Sequence, residues 1–285
     1  MTPDTASVKG HEITYNERMT TVISGKGAES LDGAPKASNM RSLSRALEVF
    51  AELQRAERPQ RLSDLAKACG MSLPTTLRIL RVLTEFGMVS QTDKSYRIGP
   101  AVLPAARSYL ENDPLVVSSR PVLQQLAFQT GLTASLYTRL GFERILVARV
   151  DGDAPLRYDL PLGKRLPLTA GAAGKILLAS ASATELQQAV DTAIDAGHEN
   201  GSFTIDILHS RMPSAGSDYA YSTDERATGV LSVAVAVPKR AGHPSESISL
   251  TSPVEAANEQ TLKAGVPELR RAAARLSELL EGSVY

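Results

Sequence analysis

The stretch ACGMSLPTTLRILRVLTEFGMV, residues 68–89, decides how this chain is read. Gly70 stops one helical pattern, and Ser72 with Pro74 opens another. A serine hydroxyl can accept from the unpaired N–H groups of a first helical turn, and proline forfeits no hydrogen bond there. Thr76, Ile79, Leu80 and Leu83 then recur at helical spacing and mark the buried side. Leu73, Leu77, Arg78 and Arg81 fall on the other side. A helix built only for burial has no use for arginines on its first exposed turns.

Upstream, RLSDLAKACG (61–70) predicts a helix with Ser63 as N-cap and an apolar stripe of Leu65, Ala66 and Cys69. Before it, RSLSRALEVFAEL (41–53) places Leu43, Ala46, Leu47, Phe50 and Ala51 on one helical face. Downstream, MVSQTDKSYRIG (88–99) predicts two short strands around the polar turn Thr92–Ser95. Three helices followed by a hairpin make a winged helix-turn-helix, expected over residues 39–99. In that motif the second helix of the turn enters the DNA major groove and reads base edges from its N-terminal half. Arg78 and Arg81 suit guanine edges or phosphates, Ser72 and Thr75 phosphates, and Leu77 a thymine methyl. Lys94 and Arg97 on the hairpin are placed for the flanking backbone, and Arg41 and Pro74 complete the candidate set. An isolated Arg pair more often marks a solvated helix face. Here the Gly turn, the short helix spacing and the following wing coincide, which decides for double-stranded DNA.

Charge agrees with that placement. The net charge is zero, yet residues 39–99 hold ten Lys/Arg against six Asp/Glu, a local balance of +4. Residues 1–38 come to −1 and residues 100–285 to −3. Residues 1–38 are rich in Ser, Gly, Thr and Pro without apolar periodicity and read as a disordered tail, with Met19 and Met40 as alternative starts. No run of 18 apolar residues and no signal-peptide core occur, so the expectation is a cytoplasmic protein that does not cross a membrane. The single cysteine, Cys69, excludes a disulfide framework, and four scattered histidines offer no metal-ligand spacing.

After PAVLPAARSYL, read as a linker helix over residues 100–117 with Val102, Leu103, Ala106 and Leu110 as its apolar positions, the pattern changes. Helices are expected at 120–130, 170–180, 184–196 and 267–281, and strands at 133–139, 144–150, 156–160, 230–237 and 247–251. The run VLSVAVAV suggests a buried central strand. The whole is an α+β chain with a sensor-like domain over residues 118–285.

These blocks resemble the IclR family of bacterial transcription regulators over about residues 41–281. The N-terminal pattern SLSRALEVF, LSDLAKACGMS, TLRILRVL, GMVSQ, YRIG and the later blocks LPLTAGAAGKILLA, DYAYSTDERATGVLSVAVAV and SISLTSP occur in the family's order and spacing. Three positions depart from the pattern: Leu77 precedes the recognition-helix Arg, Asp218 stands where Gly is usual, and Pro238-Lys239 follows the central strand. The resemblance implies a GAF-like effector-binding domain and a dimer or dimer of dimers. It also implies effector-pocket roles for Tyr158, Ala172, Ala173, Ser222, Ser232, Ser249 and Thr251, and Glu225 matches a further family position.

AGAAGK (170–175) is not a phosphate loop, because Thr169 and Ile176 stand where that motif needs Gly and Ser/Thr. Small residues at a helix start admit an anionic ligand to the free N–H groups, or equally let the helix pack closely on a sheet. The residues leave both uses open; the resemblance implies the first, with a carboxylate effector at Ala172 and Ala173. Lys175 is expected to be a solvated or structural cation. An enzyme built on the C-terminal domain with an accessory DNA-binding module is the alternative. No catalytic pair supports it, and His198, His209 and His243 lie in polar, loop-like stretches. The expectation is therefore a ligand-responsive regulator, a repressor rather than an activator. It would act as a dimer on a pseudo-palindromic operator controlling small organic or aromatic acid catabolism, without cofactor, metal or catalytic residues.

Overall fold

A computed structural model describes residues 37–154, 160–239 and 245–282. The expected tail therefore lies outside the described residues, except that Ala37 and Ser38 already belong to the first helix. The chain divides into two compact units between Val117 and Ser118.

In the first unit, α1 (Ala37–Arg55) is followed by a two-residue strand β1 (Gln60–Arg61), α2 (Leu62–Ala68) and α3 (Leu73–Glu85). The hairpin β2 (Val89–Thr92) and β3 (Ser95–Ile98) comes next, followed by the linker helix α4 (Val102–Asn112). The three strands form an antiparallel sheet in the order β1-β3-β2. Val49, Leu53, Leu65, Leu80, Val89 and Tyr96 make the core, with Phe50, Ile79 and Leu83 packed against it.

Two sequence expectations are corrected here. Leu43 and Leu47 do not face the core: they are 56% and 58% exposed, while Val49 and Leu53 are buried. The segment carries two apolar stripes, and packing of α1 on α3 and β3 selects the second. Ser63 is not the N-cap of α2. Arg61 holds that position without a side-chain cap, and the Ser63 hydroxyl instead donates to Asp64.

The second unit is built on one six-stranded antiparallel sheet. Its strands are β4 (Thr133–Leu140), β5 (Glu143–Val150), β6 (Arg165–Pro167), β7 (Tyr219–Thr223), β8 (Val230–Ala236) and β9 (Glu246–Pro253), in the order β6-β5-β4-β9-β8-β7. Its helices are α5 (Pro114–Thr130), which begins in the first unit, α6 (Ala172–Leu178), α7 (Ala183–Asp195), α8 (Ile205–Arg211), α9 (Glu259–Ala264) and α10 (Val266–Gly282). β9 is buried along nearly its whole length, as a central strand covered on both faces must be. α6 covers the face carrying Ser222, Ser232 and Ser247, while Gly265 before α10 lies against Leu250 on the opposite face.

Most of the expected elements recur with shifted ends, and α5 begins six residues earlier than expected. The short elements β6, β7, α8 and α9 were not anticipated. The expected strand 156–160 lies outside the described residues apart from Leu160. His209 sits on α8 rather than in a loop, and His243 lies outside the described residues.

Candidate functional site

The first surface is organised by the turn between α2 and α3. α2 ends with Gly70 at φ +60, where Gly70 N–H donates to Lys67 O and Met71 N–H to Ala66 O. α3 ends the same way at Gly87, φ +67, with bonds to Thr84 O and from Met88 to Leu83 O. This paired closure satisfies the last carbonyls of each helix and needs a left-handed residue, which glycine adopts without a Cβ clash. At the start of α3, Ser72 Oγ accepts from the Thr75 N–H at 3.4 Å and lies 2.9 Å from the Thr75 hydroxyl, and Pro74 occupies the first turn. Thr76 is fully buried and its hydroxyl donates to Ser72 O at 3.1 Å.

α3 is therefore fixed at both ends and along its inner face. Arg78 and Arg81 are exposed on its outer side, and Leu77 is half-buried rather than fully outward. Lys94 and Arg97 are exposed on the hairpin. Among the described residues none of these four cations is in an ion pair. Arg41 is exposed on α1 and has an interaction within the chain. Cys69 is half-buried, and burial, reinforced by Glu52 and Glu48, pushes its thiol up to about 11, which makes it a poor nucleophile.

The second site is the α6-facing side of the large sheet. The register aligns Ser222, Ser232, Thr251 and Thr133 in one cross-strand row, and Ala234, Ser249, Ser135 and Arg149 in the next. Ser222 and Ser232 hydroxyls lie 2.8 Å apart, and Thr133 Oγ1 accepts from Gly152 N–H at 3.1 Å. The hydroxyls of Ser135, Ser249 and Thr251, all on deeply buried residues, have no hydrogen-bond partner among the described residues. Arg149 at the β5 end is held by Asp151 at 2.6 Å.

The start of α6 is occupied by the protein's own groups. Ala172 N–H, expected to meet an effector, donates to Ser222 Oγ at 3.2 Å, and Gly171 N–H donates to Glu225 Oε2 at 2.8 Å. The other Glu225 oxygen pairs with Lys175, whose Nζ also donates to Tyr221 O at 2.8 Å. Lys175 is thus a buried structural cation, not a solvated one. Burial pushes its pKa down, and the Glu225 carboxylate opposes that shift. Ala173 O accepts from Ser247 Oγ at 3.1 Å, tying α6 to β9. Arg144 is also buried; its guanidinium donates to Pro167 O and lies 5.3 Å from the Tyr137 ring. Tyr158 lies outside the described residues. Sequence reasoning missed Ser135 and Arg149, because only the β4–β5 and β4–β9 registers bring them beside Ser249.

Both halves of the chain match models of one family. Residues 42–93 match the IclR helix-turn-helix domain, and residues 107–278 match the bacterial transcriptional regulator IclR C-terminal domain. The chain belongs to the IclR family of bacterial transcriptional regulators. As an IclR regulator it is a ligand-responsive DNA-binding protein, with DNA read by the winged unit and a small molecule by the C-terminal domain. It is similar to the HTH-type transcriptional repressor AllR of Klebsiella pneumoniae, at 27% identity over 74% of this chain and 79% of that protein. Among solved structures it resembles an IclR regulator from Brucella abortus, with TM-score 0.71, 22% identity and coverage of 84% and 92% of the two chains. An IclR homolog from Microbacterium hydrocarbonoxydans complexed with 4-hydroxybenzoate has the same fold, at TM-score 0.61, 18% identity and coverage of 85% and 100%. In this IclR chain the Asp218 carboxylate, just before β7, forms a two-pronged pair with Arg270 of α10 at 2.6 and 2.7 Å. The carbonyl of Pro238 accepts from the Ser277 hydroxyl at 2.9 Å.

Proposed function

We propose that this regulator is a cytoplasmic repressor that binds a pseudo-palindromic operator as a homodimer and releases it when a small carboxylate enters the α6-facing side of the sensor sheet. Residues 39–99 would read DNA, 100–117 link, and 118–285 sense. Arg78 and Arg81 would address base edges, with Ser72, Thr75, Lys94 and Arg97 on phosphates. The genes controlled would serve catabolism of a small organic or aromatic acid.

The observation that carries the effector reading is the set of Ser135, Ser249 and Thr251 hydroxyls, which share the α6-facing side of the sheet and have no hydrogen-bond partner among the described residues. These oxygens are not among the fully buried unpartnered atoms, so they open onto accessible space, where three hydroxyl donors together favour a polar ligand. The carboxylate belongs against these hydroxyls rather than on the α6 N-terminus, where Glu225 already holds Gly171. Ala172 and Ala173 form the small-residue wall beside it. The homolog bound to 4-hydroxybenzoate supports an aromatic acid, and the AllR relative supports repression. The dimer is supported by α4: none of its residues is buried and Leu103 is 66% exposed. An isolated helix of that length is marginal in water, so α4 calls for a partner surface, best supplied by a second copy.

A mobility-shift assay on DNA from the protein's own upstream region tests the proposal, with 4-hydroxybenzoate and a panel of small acids as ligands. One acid should raise the melting temperature and weaken the shift. Ser249→Val with Thr251→Val should abolish both responses while leaving operator affinity intact. An unchanged response in that variant would move the effector site elsewhere.

A further inference from the structure

We propose that Arg61 is a phosphate contact of the winged unit, carried onto the outer face of the wing by β1. The register pairs Gln60 with Tyr96 and Arg61 with Ser95. Because side chains alternate across a strand, Gln60 shares the face of the buried Tyr96, and Arg61 shares the outward face of Ser95 and Arg97. Thr92 and Ser90 stand on that same face across β2, opposite Ser95 and Arg97. The face thus carries two exposed guanidinium groups and three hydroxyls, with no carboxylate among them. Two acids close to it in sequence, Asp93 and Asp64, lie off it. Asp93 is in the turn at φ +55, and Asp64, on α2, accepts from the Ser63 hydroxyl. Among the described residues Arg61 has no ion pair. Diagonal like charges on one sheet face repel, which an intervening phosphate backbone relieves.

A second observation points the same way. Arg61 is the N-cap of α2, with extended φ −79 and ψ 156, and its side chain makes no cap bond. Such positions favour Ser, Thr, Asp or Asn, whose oxygens satisfy the first N–H groups. Arginine satisfies none and adds a cation at the positive end of the helix dipole. Residues that break a local rule are expected at functional or strained sites, and the exposed, unpaired Arg61 favours the first. Here the function is sequence-independent attraction to the DNA backbone, in which each neutralised phosphate releases counterions.

The test uses the full chain and a mixed-sequence duplex titrated from about 50 to 200 mM salt. Arg61→Asn should make the slope of log affinity against log salt shallower by about 0.9, by a similar amount on any duplex. The same substitution supplies a cap and should raise the melting temperature. Arg61→Lys should keep the wild-type slope, and Arg275→Ala in the sensor unit should not change it. An unchanged slope in Arg61→Asn overturns the proposal, and so does weaker binding accompanied by a lower melting temperature. Wild-type affinity indifferent to salt would overturn DNA backbone binding altogether, a result distinct from failure of Arg61 alone.

Discussion

In the sensor unit four cations lie against carboxylates: Lys175 with Glu225, Arg165 with Glu143, Arg211 with Glu199 at 3.2 Å, and Arg270 with Asp218. In the winged unit Arg61, Arg78, Arg81, Lys94 and Arg97 lie against none among the described residues. Residues 39–99 exceed neutrality by only +4, so overall charge hardly separates the two regions. Ion pairs occur in both units, Arg55 with Glu52 and Arg107 with Glu111 in the first, so what separates these two sets of cations is whether each charge is already spent on a neighbour. An exposed unpaired cation meets a phosphate without first losing a partner, whereas a buried pair holds an element in place.

The strongest way to break this contrast is to unpair a sensor cation. Glu225→Ala strands Lys175, which is 2% exposed, and should cost about 3–5 kcal/mol in urea denaturation, as removal of one buried partner does. The double variant Lys175→Met with Glu225→Leu should recover most of that loss. The pH dependence has a definite sign. Burial lowers the folded pKa of Lys175 below its ordinary 10.5, so the single variant is penalised at neutral pH and regains stability as pH rises towards 10.5. A loss below about 1 kcal/mol would show the pair to be no more than a surface contact.

A smaller effect is expected on the other side of the contrast. Arg78→Ala should weaken operator binding by about 1–3 kcal/mol, the worth of a good base contact, without altering the thermal response to an effector. Equal affinity in the folded variant would remove Arg78 from the reading surface.

The smallest effect belongs to Asp218. Its pair with Arg270 is largely solvent-exposed, so Asp218→Asn should leave the urea midpoint almost unchanged. The Arg270 hydrogen bonds hold the carboxyl below its ordinary 3.8, so this contribution is present above that pH and lost as pH falls through the lower folded value. A wild-type advantage persisting in stronger acid would mean that shape rather than charge joins β7 to α10.

The winged unit was legible because its signals are local. Gly70, Ser72, Pro74 and Gly87 announce the ends of α2 and α3 in the residue types themselves, and Thr76 and Leu80 repeat at helical spacing. Leu43 and Leu47 misled because Val49 and Leu53 offer a second apolar stripe, and only the positions of α3 and β3 choose between them. The sensor was less legible. α8 has seven residues, too few for a period, although Thr204 caps it as the residue type suggests. β7 reads Tyr-Ala-Tyr-Ser-Thr, without the apolar run that revealed β8. Its hydroxyl rows are non-local: Ser222, Ser232, Thr251 and Thr133 come together because β8 and β9 lie between β7 and β4, an order no single stretch encodes.

The closures at Gly70 and Gly87 give α3 a property useful to a family that must read many sequences. Its start, its end and its tilt are set by backbone bonds and by the inward Thr76 and Leu80, none of which involves the side chains at 78 and 81. Those outward positions can therefore be rewritten while the helix keeps its pose. The turn works as a fixed handle on an exchangeable key, and operator preference can drift, or be engineered, at little cost to the fold.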